Sequence, residues 1–193
     1  MKLLELRLRN LNSLAGDWRI NFQDPQYINN GLFTITGPTG AGKTTLLDAI
    51  CLALYGRTPR LSIVSGSDNE IMSRSSGECF AEVSVQTRSG TYRATWSQRR
   101  ARGAADGKLQ QPRHELADHI TGEILSSKLK ETQEAVRRVI GLDYGQFTRS
   151  ILLAQGEFAQ FLQATEKEKS EILERITGTE IYSHIGQSVY ERT

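Results

Sequence analysis

Apolar positions recur every second residue at the start of the chain, where Leu4, Leu6 and Leu8 alternate with Glu5, Arg7 and Arg9. Side chains of a strand point in turn to opposite faces, so this pattern predicts a half-buried strand. Trp18, Ile20 and Phe22 repeat it after a short gap from Asn10 to Asp17. A gap of that length suits an antiparallel hairpin, because a parallel return needs a crossover of about a dozen residues or more. Leu32 to Thr36 is then a continuous apolar and β-branched run, suited to a strand covered on both faces, and it ends at Gly37. From Thr44 to Tyr55 the residues are apolar almost all round, which predicts a helix inside the domain, stopped by Gly56.

Alternation returns from Phe80 to Arg88 and from Thr91 to Arg100 about a Ser89-Gly90 turn. Ala81, Val83 and Val85 face one way on the first strand, and Tyr92, Ala94 and Trp96 on the second. Lys128 to Ile140 has helical spacing through Leu129, Val136 and Val139 or Ile140, with Gly141 placed as a C-cap and Asp143 as the N-cap of a following helix. Ser150 to Ala154 reads as an apolar strand that delivers Gln155 at its end. Thr165-Glu166-Lys167-Glu168 fits a capping box. Ile172, Ile176, Ile181, Ile185 and Val189 follow at four- or five-residue steps, interrupted by Gly178 and Gly186; an amphipathic surface helix and the root of a coiled coil both fit. The chain stops inside that pattern without a C-cap, as a truncated polypeptide does.

Composition narrows the class. The 193 residues are 38% hydrophobic and 24% charged, ordinary for one domain with a real core. The net charge of +2 commits the chain to neither nucleic acid nor membrane, so any basic surface is local. No apolar stretch approaches the roughly 20 residues that span a bilayer. The leucines of the N-terminus are interrupted by charges, unlike a signal peptide, and the expectation is a cytoplasmic protein. Cys51 and Cys79 form no CxxC pair, and His114, His119 and His184 show no ligand spacing. Buried thiols and surface histidines are expected.

Gly37-Pro38-Thr39-Gly40-Ala41-Gly42-Lys43-Thr44 matches G-x-x-x-x-G-K-[ST] in full, between the expected strand and helix. Glycines let the backbone curl with its N–H groups inward and set a helix N-terminus against an anion. Lys43 then reaches between the β- and γ-phosphates of a nucleotide, the Thr44 hydroxyl ligates Mg²⁺, and Thr45 donates a further hydrogen bond. No N-K-x-D element is present to read guanine, which favours ATP.

A self-sufficient P-loop ATPase also needs an apolar strand ending in a magnesium-binding acid. The best imitation, Val139-Ile140-Gly141-Leu142-Asp143, continues a helix through a C-cap glycine, so Asp143 is rejected as that ligand. Gln155 is placed where an amide oxygen can reach a metal or the attacking water, although by spacing alone it reads as a surface glutamine before a Gly turn. Glu157 is a less well placed candidate base.

KLLELRLRNLNSL, GPTGAGKTTLLDAICLALYG and LDYGQFTRSILLAQGEFAQFL together resemble the N-terminal part of the SbcC family, the SMC-like ABC-type ATPases of nuclease complexes. The resemblance implies an α/β P-loop NTPase lobe with an added antiparallel sheet. It places this lobe over residues 1–164 and makes 165–193 a helical segment leading into a coiled coil. Gly37 to Thr45 become the phosphate site, Lys43 and Gln155 its catalytic residues, and Thr44 and Gln155 its Mg²⁺ ligands. The acidic strand, catalytic glutamate and signature motif of the family belong to a C-terminal lobe. The implied partners are that lobe, a second head that closes over ATP, an SbcD-type nuclease and double-stranded DNA, with no membrane. Related SMC-like heads often carry an Arg in the N-F-[KR]-S position, whereas this chain reads Asn10-Leu11-Asn12-Ser13, which argues against a nucleotide contact there.

Between Arg88 and Arg113 lie seven basic residues (Arg88, Arg93, Arg99, Arg100, Arg102, Lys108 and Arg113) against one acid, Asp106. The plain reading is a solvated loop; the resemblance raises a DNA-phosphate surface through Arg99, Arg100 and Arg102. Two other functions stay open: a complete small P-loop kinase, and a nucleotide-binding module without catalysis.

Overall fold

The computed structural model describes residues 1–28, 35–59 and 68–152. Strands β1 (Lys2–Leu11) and β2 (Leu14–Asn21) open the chain, followed by a short helix α1 (Pro25–Ile28) and the longer α2 (Lys43–Tyr55). Strands β3 (Glu78–Gln86), β4 (Thr91–Arg99), β5 (Arg113–Asp118) and β6 (Ile124–Ser126) come next, then helices α3 (Leu129–Ile140) and α4 (Tyr144–Leu152). Among the described residues all strand pairs are antiparallel, in one sheet of order β2-β1-β3-β4-β5-β6.

Alternation decides which side of the sheet is covered. Leu6 pairs with Val83, Val83 with Ala94, and Ala94 with Leu116, so one apolar row runs across four strands. Each of these side chains is buried, as are Leu8, Ala81 and Trp96 in the next row. Helix α2 lies against β3, β4 and β1 on this face. Ala49, Cys51, Leu52, Ala53 and Leu54 are wholly buried, as an all-round apolar helix requires. Burying Leu52 and Leu54 contributes about 1.5–3 kcal/mol each. The opposite face carries ion pairs instead: Arg19 with Glu5, Arg7 with Glu82 at 3.1 Å, and Arg9 with Asp17 at 2.6 Å and Glu78 at 2.8 Å. Exposed pairs are screened by solvent and contribute little, so the apolar face fixes the register.

Two expectations change for reasons of reach. Trp18 pairs with Leu8 and so shares the covered face, yet it is 48% exposed. It sits on the edge strand, to the side of the three strands that α2 packs against, and its indole N–H donates to the Ala15 carbonyl at 2.9 Å. His114, expected at the surface, is completely buried beside Trp96. Its Nε2–H donates to the Ala53 carbonyl at 2.9 Å, tying β5 to the last turn of α2. Burial pushes the imidazole pKa down, so the ring is neutral. Thr132 Oγ1 donates to the His114 carbonyl at 3.1 Å and Gln133 Nε2 to the Tyr55 carbonyl at 3.1 Å, which brings α3 onto the same junction. The two thiols are buried as expected, and desolvation raises both to about 12.

The strand expected over Leu32 to Thr36 has residues 32–34 outside the described residues, and Ile35 and Thr36 lie in irregular chain. The strand expected from Ser150 is corrected: residues up to Leu152 complete α4. A short apolar run fits a buried strand or a helix equally, and here the cap decides. Asp143 Oδ1 accepts from the Gln146 N–H at 2.8 Å while Gln146 Oε1 accepts from the Asp143 N–H at 3.0 Å, a reciprocal box that starts a helix. Gln155, Glu157 and the helix expected from Thr165 lie outside the described residues. The chain divides into two compact units, Met1–Gly141 and one beginning at Leu142, of which α4 is the described part. No helix among the described residues is long and apolar enough to cross a membrane.

Candidate functional site

The glycine-rich loop runs directly into α2, whose first residue is Lys43. Gly42 is the N-cap at φ +88°, in the left-handed region, and its carbonyl accepts the first helical bond from Leu46 N–H at 3.3 Å. A second constraint holds this glycine. A Cβ built on Gly42 would fall 2.7 Å from Leu14 Cδ2 and 2.8 Å from Leu14 Cγ. Leu14, the buried first residue of β2, therefore presses on the backbone of the loop, and only glycine meets both demands.

The loop opens on a cleft of about 640 Å³, lined by Thr39, Gly40, Gly42 and Lys43 to Thr45 on one side and by Asn12 and Ser13 on the other. Gly37, Pro38 and Ala41 belong to the loop without lining the cleft. Lys43 Nζ donates to the Gly37 carbonyl at 2.6 Å and the Pro38 carbonyl at 2.8 Å, so its ammonium is turned back over the loop. The first backbone N–H groups of a helix have no intrahelical partner and carry the positive end of its dipole. With Lys43 and the Thr44 and Thr45 hydroxyls beside them, the cleft is built for an oxyanion. The Thr44 oxygen is also a donor of the kind a hard divalent cation takes.

Asn12 and Ser13 are the residues that sequence reasoning set aside. Asn10 and Asn12 both have positive φ, +52° and +48°, which asparagine tolerates better than most residues. Asn10 Oδ1 accepts from the Gly16 N–H at 2.8 Å and its Nδ2 donates to the Glu78 carbonyl at 3.0 Å. Asn12 N–H donates to the Ile71 carbonyl at 2.7 Å. Asparagines suit such a turn, but that this turn faces the distant glycine loop depends on contacts that no local pattern carries.

The basic residues separate by environment. Arg99 Nε donates to Gln110 Oε1 at 2.9 Å, and Arg100 Nη1 to the Gly107 carbonyl at 3.2 Å. Arg100 is half-buried and holds its own loop, whereas Arg102, Lys108 and Arg113 are exposed. A second depression of about 270 Å³ lies here, on the outer face of the sheet. Arg9, Phe80, Ser97 and Arg113 are successive register partners across it, and the Arg9 guanidinium lies 5.8 Å from the Phe80 ring centre. Arg9 is neutralised by Asp17 and Glu78; no ion pair to Arg102, Lys108 or Arg113 is found among the described residues.

A glycine loop with left-handed glycines, opening a buried helix at a lysine and two threonines, defines a P-loop lobe. The chain belongs to the AAA domain family, whose profile matches residues 5–184. It is similar to the SbcC component of the nuclease SbcCD of Pseudomonas aeruginosa, at 43% identity over 208 residues covering 100% of this chain and 17% of that protein. It is also similar to a probable DNA double-strand break repair Rad50 ATPase of Aquifex aeolicus, at 34% identity over 159 residues covering 82% of this chain and 15% of that protein. A solved SMC head domain from Thermotoga maritima aligns over 70% of this chain and 42% of its own, with 17% identity and a TM-score of 0.41. The resemblance to the SbcC family expected from the sequence is borne out. The chain spans less than a fifth of the length of the two curated relatives.

Proposed function

We propose that the chain is the phosphate-binding lobe of a DNA-repair ATPase of the SbcC type. The observation that carries this reading is the loop itself: Gly42 capping α2, Lys43 and Thr44 at its first turn, and an open cleft beside them. ATP would bind with its β- and γ-phosphates on the backbone N–H groups and Lys43, and the Thr44 hydroxyl would be a ligand of Mg²⁺; the second ligand that the family resemblance implies, Gln155, lies outside the described residues. The described lining offers a cation and hydroxyls but no carboxylate, which suits a binding half-site completed by a C-terminal lobe and a second head. Closure of two such heads on ATP and their reopening after hydrolysis would gate an SbcD-type nuclease acting on double-stranded DNA ends and hairpins. Residues 1–164 form the lobe in this reading, and 165–193 lead into the coiled coil. A complete kinase is disfavoured, since its successive parallel βαβ units are not found among the described strands.

Turnover tests the composite site. The chain alone should bind MgATP without releasing phosphate, and release should begin on adding the C-terminal lobe. Phosphate release by the chain alone, abolished in Lys43→Ala, would contradict it and revive a self-contained enzyme.

The DNA contact is assigned to Arg99, Arg102, Lys108 and Arg113, with Arg100 holding the loop that presents them. Phosphate contacts make affinity fall steeply with salt, by a slope of about 0.9 per contact. Arg102→Ala and Arg113→Ala should each lower that slope by about one without changing sequence preference. Unchanged slopes would remove these residues from the interface.

A further inference from the structure

A single strap of chain, residues 69–77, touches both the turn at the far wall of the cleft and the basic loop. At its start Met72 bridges to Leu11, and the Ile71 carbonyl accepts from the Asn12 N–H at 2.7 Å. Ser73 donates its N–H to the Asn10 carbonyl at 2.9 Å and its hydroxyl to the Asn12 carbonyl at 2.8 Å. These bonds hold the turn that forms the far wall of the cleft. At the other end the Gly77 carbonyl accepts from the Arg100 N–H at 2.7 Å. The Gly103 carbonyl packs so closely over Gly77 that a Cβ there would fall 1.8 Å from its oxygen.

The strap is braced through the interior. Asn69 Oδ1 accepts from the Met72 N–H at 2.8 Å, and Asn69 Nδ2 donates to Gln98 Oε1 at 2.6 Å. Gln98 Nε2 donates onward to the Gln110 carbonyl at 2.8 Å, and Gln110 holds Arg99. Gln98 is 2% exposed, and both ends of its amide are engaged. A buried amide cannot exchange these partners for water without cost, so the two ends of the strap are tied to one another through Gln98. The receiving loop is itself poised: Arg102 is held at φ +59°, a conformation that side-chain-bearing residues seldom adopt.

We infer that residues 69–77, braced by Asn69 and Gln98, couple occupancy of the phosphate cleft to the position of the loop from Arg100 to Gln110. A phosphate group held by the glycine loop and Lys43, facing Asn12 and Ser13 across the cleft, repositions the loop from Arg100 to Gln110. By linkage, a polyanion held on the loop changes the affinity of the cleft by the same factor. The inference rests on the cleft being a nucleotide site, and its test separates the two claims.

Amide hydrogen exchange is followed in the chain with and without saturating MgAMP-PNP, in segments 37–45 and 100–110. In the wild type both segments respond, the loop by about fivefold or more. Gln98→Leu removes the amide at similar volume; segment 37–45 stays protected while the loop response is lost. Asn69→Ala, at a half-exposed position, makes the same disconnection if the Gln98 variant does not fold. A wild-type loop that ignores nucleotide while 37–45 is protected, or a loop response that survives in both variants, overturns the coupling and leaves the nucleotide site standing. Absence of protection at 37–45 at every concentration overturns the nucleotide site and the coupling with it.

Discussion

Replacing Gly42 by alanine loads two penalties onto one residue of the phosphate loop. Its φ of +88° places a Cβ in the left-handed region, at a cost of about 1–2 kcal/mol. The same Cβ would lie 2.7 Å and 2.8 Å from Leu14 Cδ2 and Cγ, and Leu14 is 8% exposed, so it has little room to turn away. Overpacking of this kind costs about 1–3 kcal/mol, for a total of about 2–5 kcal/mol. The two parts separate in a double-mutant cycle. Leu14→Ala by itself removes a buried side chain at about 2–5 kcal/mol, but in its background Gly42→Ala should retain only the conformational part. Urea unfolding of the four proteins reads the coupling as a difference of midpoints at constant slope, expected at about 1–3 kcal/mol. An equal loss in both backgrounds would refute the role of Leu14 in holding the loop. A loss under about 1 kcal/mol in the wild-type background would refute the strained N-cap as well.

Three further outcomes follow from the core and the outer face. His114 has its pKa depressed below 6.5 by burial, so the unfolded chain takes up a proton that the folded chain refuses. Stability is therefore intact above pH 6.5 and falls as pH drops toward the folded value, by up to about 1.4 kcal/mol per pH unit. His114→Gln, which keeps a donor for the Ala53 carbonyl, should flatten this slope in thermal melts between pH 5 and 7; identical slopes would refute the assignment. Cys51 and Cys79, buried with thiols raised to about 12, should react with a disulfide reagent only as fast as the chain unfolds, and prompt labelling in native buffer would contradict their burial. Asp17→Asn weakens a two-bond contact to Arg9 at 2.6 and 2.8 Å, yet should leave the melting temperature close to that of the wild type because the pair is exposed and screened by solvent. A large fall in melting temperature would show instead that the outer-face ion pairs govern the sheet.

What the sequence disclosed was local. Leu4, Leu6 and Leu8 specify β1 through their spacing, Gly42, Gly56 and Gly141 bound α2 and α3 as left-handed caps, and the phosphate loop is recognisable from eight consecutive residues. Where the outcome depends on a distant partner, pattern is silent. His114 can be buried because a carbonyl 61 residues earlier accepts a hydrogen bond from its Nε2–H, and Trp18 is exposed because α2 packs on strands other than its own. Asn12 and Ser13 face the cleft because Leu14 packs on Gly42 and the strap holds the turn, contacts that no periodicity encodes. The end of α4 shows a different limit. Ser150 to Leu152 carry an apolar run compatible with either element, and only the cap at Asp143 and Gln146 settles it.

The central claim is that Lys43 and the N-terminus of α2 bind nucleotide phosphates. Calorimetric titration of MgATP into the chain and into Lys43→Ala tests it most directly. The Lys43 ammonium donates to the Gly37 and Pro38 carbonyls, so the variant loses only the excess that a charged phosphate provides over these bonds. That excess is about 1.5–3 kcal/mol, a weakening of roughly 10- to 150-fold. Such a loss, with an unchanged melting temperature in the absence of nucleotide, is the predicted result. Equal affinity in the two proteins, or no binding of MgATP by either, would contradict the account.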